Sequence, residues 1–330
     1  MRRVVLETVA SESSMTGPAA QGARIGWRDL PAEVRAGIER VCGAPVVEAR
    51  TQPGGFSPGV AARVLCADGS RFFVKAVSAE ANPDSPRYHR REARVLEALD
   101  PLITAGQLPV PRLRGTVDVS PWIALVIDDI DGRQPAVPWQ PSELALVLAA
   151  LDQLAEALTP SPAPVPDLAE LYRDAFTGWR TLAGRGDDER LDEWSRAHLD
   201  TLAELEPSWA SHTRGTTMLH TDVRADNLLL AGGRVFVVDW PHACRGAAFV
   251  DTVFLAPSVA MQGGPAPGEL LARTRPGRAA DPAAVAAVVC ALAGYFTERA
   301  LRPPQPGLPT VREFQAAQGE IARRWLASVL

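Results

Sequence analysis

The chain has 330 residues, 46% of them hydrophobic, 22% charged and only 6% aromatic. That balance allows a large aliphatic core and excludes both a disordered chain and a small scaffold held by disulfide or metal staples. The formal charge of −5 gives no electrostatic reason to expect nucleic acid or a membrane as partner. Among the 34 basic residues, 33 are Arg and one is Lys, Lys75. Mutational bias in an Ala-, Arg-, Gly- and Pro-rich chain accounts for the arginines. The compatible, sharper reading is that Lys75 sits where a compact ammonium cannot be exchanged for a planar fork.

Residues 1–24 lack periodicity and are read as a flexible arm, and Glu7 interrupts the first apolar run before it reaches signal-peptide length. Leu30, Val34, Ile38 and Val41 fall at helical spacing in a segment that Gly43 would end. Short β-rich segments follow at 45–50, 60–66 and 71–77, the last two joined by a hairpin turn at Ala67-Asp68-Gly69-Ser70. Between the first two lies the small-residue stretch Gly54-Gly55-Phe56-Ser57-Pro58-Gly59. A charged helix over 87–99 and strands over 113–119 and 122–127 complete a mostly antiparallel sheet.

After Asp128-Asp129-Ile130-Asp131-Gly132 the pattern turns helical: 142–158, 168–182, 188–205, 282–301 and 310–330, with a Pro-rich connector at 159–166. Strands first and helices after make an α+β plan of two lobes, 25–128 and 129–330, the second larger. The longest apolar run, Ala283 to Phe296, has 14 residues, short of the ~20 that span a bilayer, and is read as a buried helix. Cys42, Cys66, Cys244 and Cys290 are scattered and read as reduced core thiols. These readings together place the protein in the cytoplasm.

One β island, 227–230 and 234–239, interrupts the helical half behind His220-Thr221-Asp222-Val223-Arg224-Ala225-Asp226-Asn227. A hard cation such as Mg²⁺ takes carboxylate and amide oxygens plus nucleotide phosphates, and the hairpin offers Asn227 and Asp239 from its two ends. Asp222 remains to accept a proton. Those are the roles that kinase-type phosphoryl transfer requires.

The run HTDVRADNLLL with VFVVDW behind it resembles the catalytic core of the aminoglycoside phosphotransferase family, small-molecule kinases of the protein-kinase-like fold. His220, Asp222, Asn227, Asp239 and Trp240 match its H-G-D-x-x-x-x-N and I-D-W pattern, with Thr221 in place of the usual Gly. The resemblance implies an N-terminal antiparallel sheet lobe that binds nucleotide. There Gly54, Gly55 and Ser57 resemble the phosphate loop, Lys75 the lysine that holds the α- and β-phosphates, and Glu92 its partner. The backbone near Asp128 and Ile130 would meet the adenine edge. Gly246 and Asp251 echo G-D-P-x-x-D, although Ala247 and Ala248 replace its inner Asp-Pro, and Asp251 would anchor the catalytic loop.

His220 is read as structural support, Trp240 as core, and His242 and Cys244 as packing residues; Asp226 is given no chemistry. The arginines at 87, 90, 91 and 94 are read as a solvated face paired with nearby Glu. The function this implies is ATP- or GTP-dependent, Mg²⁺-requiring phosphorylation of a hydroxyl on a small molecule: an aminoglycoside-like antibiotic, a sugar, an amino alcohol or another metabolite. The alternative is a nucleotide-binding pseudokinase acting as a regulatory module; a metal-dependent hydrolase lacks further ligands. From 167 to 214 there are 11 acidic and 6 basic residues, but from 251 to 330 there are 6 acidic and 8 basic. That distribution argues against a strongly polycationic acceptor.

Overall fold

The computed structural model describes residues 24–52, 59–305 and 310–330. The expected arm therefore lies outside the described residues except for Arg24, which bridges Gly59. Helix α1 (Ala32–Cys42) ends at Gly43, which takes the left-handed conformation as a C-cap. Strands β1 (Val46–Thr51), β2 (Val60–Cys66), β3 (Arg71–Ser78), β4 (Leu113–Val119) and β5 (Trp122–Asp128) form one antiparallel sheet in the order β1-β2-β3-β5-β4.

The period-2 alternation of β3 divides the core. Val74 and Ala76, with Ala62, Val64, Ala124 and Val126 of neighbouring strands, pack against Val34 and Ile38 of α1. Val77, with Ile123, Leu125 and Ile127 of β5, joins the larger core that runs through α2 (Ser85–Thr104) and α3 (Pro141–Ala157) into the helical half. Lys75 pairs in register with Ala61 and Leu125, so it shares the face of that second set.

Two expected helices are broken, the first by a tertiary partner and the second by a local cap. The segment expected at 168–182 forms Leu168–Leu171 and then restarts as Gly178–Arg185. Buried Glu206 accepts the N–H groups of Trp179 (2.9 Å) and Arg180 (3.3 Å) and so sets a new helix start. The segment expected at 188–205 divides at Asp192, whose carboxylate accepts from the Ser195 N–H (3.0 Å) and hydroxyl (2.7 Å) and caps Glu193–Ala197. The sequence reading also passed over the buried helix Val250–Met261, apolar on all sides and so without periodicity.

The helix Pro282–Ala300 starts on an Asp281 cap and packs along Val311–Val329. It is long and apolar enough to cross a membrane, but 67% of its apolar window is buried within the protein. The helix Gly178–Arg185 crosses it so closely that a Cβ on Gly178 would lie 2.0 Å from the Gly294 carbonyl oxygen. Trp179 locks the crossing through its indole N–H to the Cys290 carbonyl at 2.9 Å. Because the obstacle is backbone, side-chain adjustment cannot relieve it. Gly178→Ala is expected to lower the unfolding free energy by about 3 kcal/mol, read as a reduced urea midpoint, whereas Gly184→Ala, which lies in the same helix and meets nothing within 4 Å, is expected to raise it by about 0.5 kcal/mol.

Candidate active site

Three charged side chains meet where the sheet faces the helical half. Lys75 Nζ lies 2.7 Å and 3.0 Å from the two Glu92 carboxylate oxygens and 2.5 Å from Asp239 Oδ1. Strand β3 delivers the lysine, α2 the glutamate, and Asp239 follows the hairpin β7 (Leu228–Ala231) and β8 (Arg234–Val237). (Strand β6, Thr217–Leu219, precedes the polar loop and pairs with β9, Cys244–Gly246, behind it.) Burial works against the Lys75 charge, but Asp239 and Glu92 outweigh it and hold the ammonium above the ordinary lysine range. Burial likewise opposes ionisation of Asp239, and Lys75 outweighs it, so that carboxyl lies well below the usual carboxylate range. Glu92 also accepts the Trp240 backbone N–H at 3.3 Å, which ties α2 to the segment bearing Asp239.

The loop from His220 to Asn227 is held by its backbone. Asp251 accepts the N–H groups of His220 (2.9 Å) and Thr221 (2.7 Å) through separate oxygens. The Asp222 N–H lies 3.1 Å from His220 Nδ1, and His220 Nε2 lies 2.9 Å from the Val238 carbonyl. A consistent assignment makes Nδ1 the acceptor and Nε2 the donor. Both ring nitrogens of this buried imidazole are thus committed to backbone, and burial lowers its pKa. Thr221 adopts φ 63°, a left-handed conformation unfavourable for a β-branched residue. Its hydroxyl donates to the His242 carbonyl and receives the Tyr172 phenol, each at 3.0 Å.

The Asp222 side chain, 29% exposed, opens into the cleft, and burial raises its pKa against the opposing charge of Arg224. Asn227 Nδ2 donates to the Asp222 carbonyl (2.8 Å) and to Asp222 Oδ2 (3.1 Å), which turns Asn227 Oδ1 the other way. Arg224 spans Asp222 (3.3 Å) and Asp226 (2.8 Å), so Asp226 is an ion-pair partner within the loop. The sequence reading gave Arg224 no role, since nothing in its spacing shows that it folds back between two carboxylates.

Of the other expected residues, Gly54, Gly55 and Ser57 lie outside the described residues. Asp128 ends β5, with its N–H on the Arg112 carbonyl and its carboxylate on Arg114. The Ile130 carbonyl receives the Gly132 N–H and the Arg63 guanidinium, while Arg63 and Arg71 clamp buried Asp129. The arginine face of α2 differs from expectation. Arg90 pairs with Asp118 of β4 and Arg91 reaches the Ala243 carbonyl at 2.5 Å, partners supplied by other elements, while Arg87 pairs with Asp84 at the start of its own helix. Trp240 is buried, and His242 packs its ring 5.2 Å from Tyr88. The four cysteines are free and buried.

Lys75, Glu92, Asp239, Asp222, Asn227 and Arg224 border one cleft of about 1100 Å³. Beyond Asp222 its wall is built by two helical stripes, Leu292/Tyr295/Phe296/Arg299 and Val311/Phe314/Gln315/Gln318. The i, i+3, i+4, i+7 spacing of both was present in the sequence, but the same spacing describes an ordinary core face.

A profile of the phosphotransferase enzyme family matches residues 49–325. No curated protein matches the chain. Among solved structures, an aminoglycoside phosphotransferase from Alicyclobacillus acidocaldarius aligns with TM-score 0.56 and 17% identity, over 91% of this chain and 95% of that one. An amicoumacin kinase in complex with AMP-PNP, Ca²⁺ and Ami aligns with TM-score 0.56 and 12% identity, over 84% and 88%. The Plasmodium vivax ethanolamine kinase aligns with TM-score 0.53 and 9% identity, over 82% and 81%. At these identities the likeness is one of fold, the α+β plan of protein-kinase-like small-molecule kinases.

Thr221 combines backbone strain with two hydroxyl contacts, and substitutions separate them. Thr221→Gly relieves the strain and loses the contacts, so its stability is expected to stay within about 1 kcal/mol of the parent. Thr221→Ala keeps the strain and loses the contacts, and is expected to lose about 2 kcal/mol. Denaturant titration of the three proteins checks the order.

Proposed function

Since the chain belongs to the phosphotransferase enzyme family and is a small-molecule kinase, we propose that it transfers the γ-phosphoryl group of ATP or GTP, with Mg²⁺, to a hydroxyl of a small molecule. The observation that carries the reading is the convergence of Lys75, Glu92 and Asp239 beside Asp222 and Asn227 in one cleft. The AMP-PNP and Ca²⁺ of the amicoumacin kinase complex support a nucleotide with a divalent cation.

The donor set fits Mg²⁺. Asn227 Oδ1, turned away from Asp222, and the Asp239 carboxylate are hard oxygens, and no cluster of three or more His, Cys, Asp or Glu that would hold a metal without phosphate occurs among the described residues. When bound, the ion would draw charge from the phosphate oxygens. Lys75, fixed by Glu92, would hold the α- and β-phosphates, and the backbone near Asp128 and Ile130 would meet the base. Gly54, Gly55 and Ser57 would offer N–H groups to the phosphates. Asp222 would accept the proton of the attacking hydroxyl, while His220 and Asp251 hold the loop that carries it. The acceptor oxygen bonds to the γ-phosphorus, the bond to the β,γ-bridging oxygen breaks, and the nucleoside diphosphate leaves with the electron pair.

Asp222 must be ionised to take that proton. Because its pKa is raised, the acid limb of kcat is expected above the ordinary aspartate value of 3.8, with activity lost as pH falls through the raised pKa. Asp222→Asn is expected to lower kcat by about 10²- to 10⁴-fold. The folded state also binds this proton more tightly than the unfolded state does. The ionised group therefore costs stability above the folded pKa, and the cost vanishes below the unfolded one. Asp222→Asn is accordingly expected to melt no lower than the parent at neutral pH, and a kcat within a few-fold of the parent would remove Asp222 from the chemistry.

Lys75→Arg tests the lone lysine. The site gives Nζ three contacts at 2.5–3.0 Å in a pocket where the side chain is 15% exposed, too tight for a guanidinium fork. A loss of about 10²- to 10³-fold in kcat is expected. A fully active variant would return the residue to chance.

A further inference from the structure

Two aspartates and one arginine of the loop before β7 form a unit that the phosphotransferase roles leave unexplained. Arg224 sits between the carboxylates. Its Nε and Nη2 donate to the two oxygens of Asp226 at 3.0 Å and 2.8 Å, and its Nη1 lies 3.3 Å from Asp222 Oδ1. The guanidinium carbon stands 5.5 Å from the centre of the Phe314 ring, on the helix Val311–Val329. The Arg224 side chain is 18% exposed, and no ion pair among the described residues holds a more buried arginine. A guanidinium withdrawn from water is costly unless charged partners offset it, and one of the two partners here is the carboxylate that faces the acceptor.

The geometry of Asp222 shows what the arrangement does. A base must present an oxygen to the acceptor hydroxyl at about 2.6–3.2 Å, yet the last torsion of an aspartate is broad and does not by itself hold the carboxylate plane. Asn227 Nδ2 grips Oδ2 at 3.1 Å, and a contact on one oxygen leaves the plane free to turn about it. The Arg224 contact on Oδ1 is the second point that stops the turn. Each carboxylate oxygen offers two lone-pair sites, so both contacts leave room for a hydroxyl on the side open to the cleft. Asp226 in turn fixes the guanidinium. Its bidentate grip uses two donors of a rigid fork and aims a third at Asp222, which the single nitrogen of a lysine could not do.

We propose that Arg224 is a positioning residue for phosphoryl transfer: held by Asp226 and Phe314, it locks the Asp222 carboxylate in the orientation from which it takes the acceptor proton. Asp226 acts only through Arg224. This assignment rests on the phosphotransferase reading of the cleft.

The test uses the full chain with Mg²⁺, ATP or GTP for turnover and AMP-PNP or GMP-PNP for binding, with water as the probe acceptor and released phosphate as the signal. Arg224→Met, which keeps an unbranched stem beside Phe314, is expected to lower kcat about 10- to 100-fold and to leave nucleotide KM and analogue affinity within about twofold of the parent. In the Asp222→Asn background the same substitution is expected to change the rate by less than about twofold, because a residue acting through Asp222 has nothing left to act on. Asp226→Ala is expected to lower kcat in the parent and to add nothing to Arg224→Met. Crystal structures of the parent and of Arg224→Met with the Mg²⁺-loaded analogue give a readout independent of turnover: in the variant the Asp222 carboxylate plane is expected to rotate by more than about 30° or to split between orientations.

Parent-like turnover by Arg224→Met would overturn the proposal. So would a loss that persists in full in the Asp222→Asn background, as direct contact with the phosphoryl group would give, or a loss of analogue affinity that matches the loss of kcat. Where turnover is too slow to measure, the structures decide, and an Asp222 plane unmoved in Arg224→Met overturns the proposal. If that variant fails to fold, Arg224→Lys, which keeps the charge and loses the fork, replaces it with the same expectations. Failure of the phosphotransferase reading is separately visible, as an absence of Mg²⁺-dependent analogue binding to the parent protein.

Discussion

An ammonium held between two carboxylates, largely out of water, is the constraint that the architecture serves. Taking such ions from water costs several kcal/mol each, and that cost is offset only if all three arrive in contact. Lys75 therefore depends on the register of β3 against β2 and β5, Glu92 on the placement of α2, and Asp239 on a left-handed backbone with φ 71°. A displacement of any one element leaves a buried charge unpaired. Adjacent contacts reinforce the arrangement, since Glu92 also holds the Trp240 N–H and Arg91 the Ala243 carbonyl.

The loop beside the triad follows a different rule. Its precision comes from backbone groups tied by side chains: Asp251 on two successive N–H groups, and His220 on one N–H and one carbonyl. Asp222 keeps an open side and has an elevated proton affinity. Thr221 shows how such a loop accommodates an unfavoured residue. Where the resembling family carries glycine, a hydroxyl with two partners compensates a backbone conformation that a β-branched residue avoids.

Much of this was legible in the residues. The alternation through Phe72–Val77 places Lys75 on the same face as Val77, and the rarity of lysine singled it out before any geometry was known. The spacing of Asp222, Asn227 and Asp239 around a short hairpin is local, and local patterns survive folding. What sequence alone did not show depends on partners distant in the chain. Glu206 starts a helix at Gly178, and Asp118 rather than a helix neighbour receives Arg90. The helical wall of the cleft escaped for a related reason. Tyr295, Phe296, Phe314 and Gln318 have the spacing of core residues, and only the tertiary arrangement shows that their shared face borders a cavity.

The apolar core has a further consequence. It runs without interruption from Val77, Ile123 and Ile127 of the sheet through α2 and α3 to the helix Pro282–Ala300. The sheet and the helical half are thus not two bodies joined by a strap, and separating them would expose a broad aliphatic surface to water. Moving the sheet against the helical half therefore works against the burial of this shared interior.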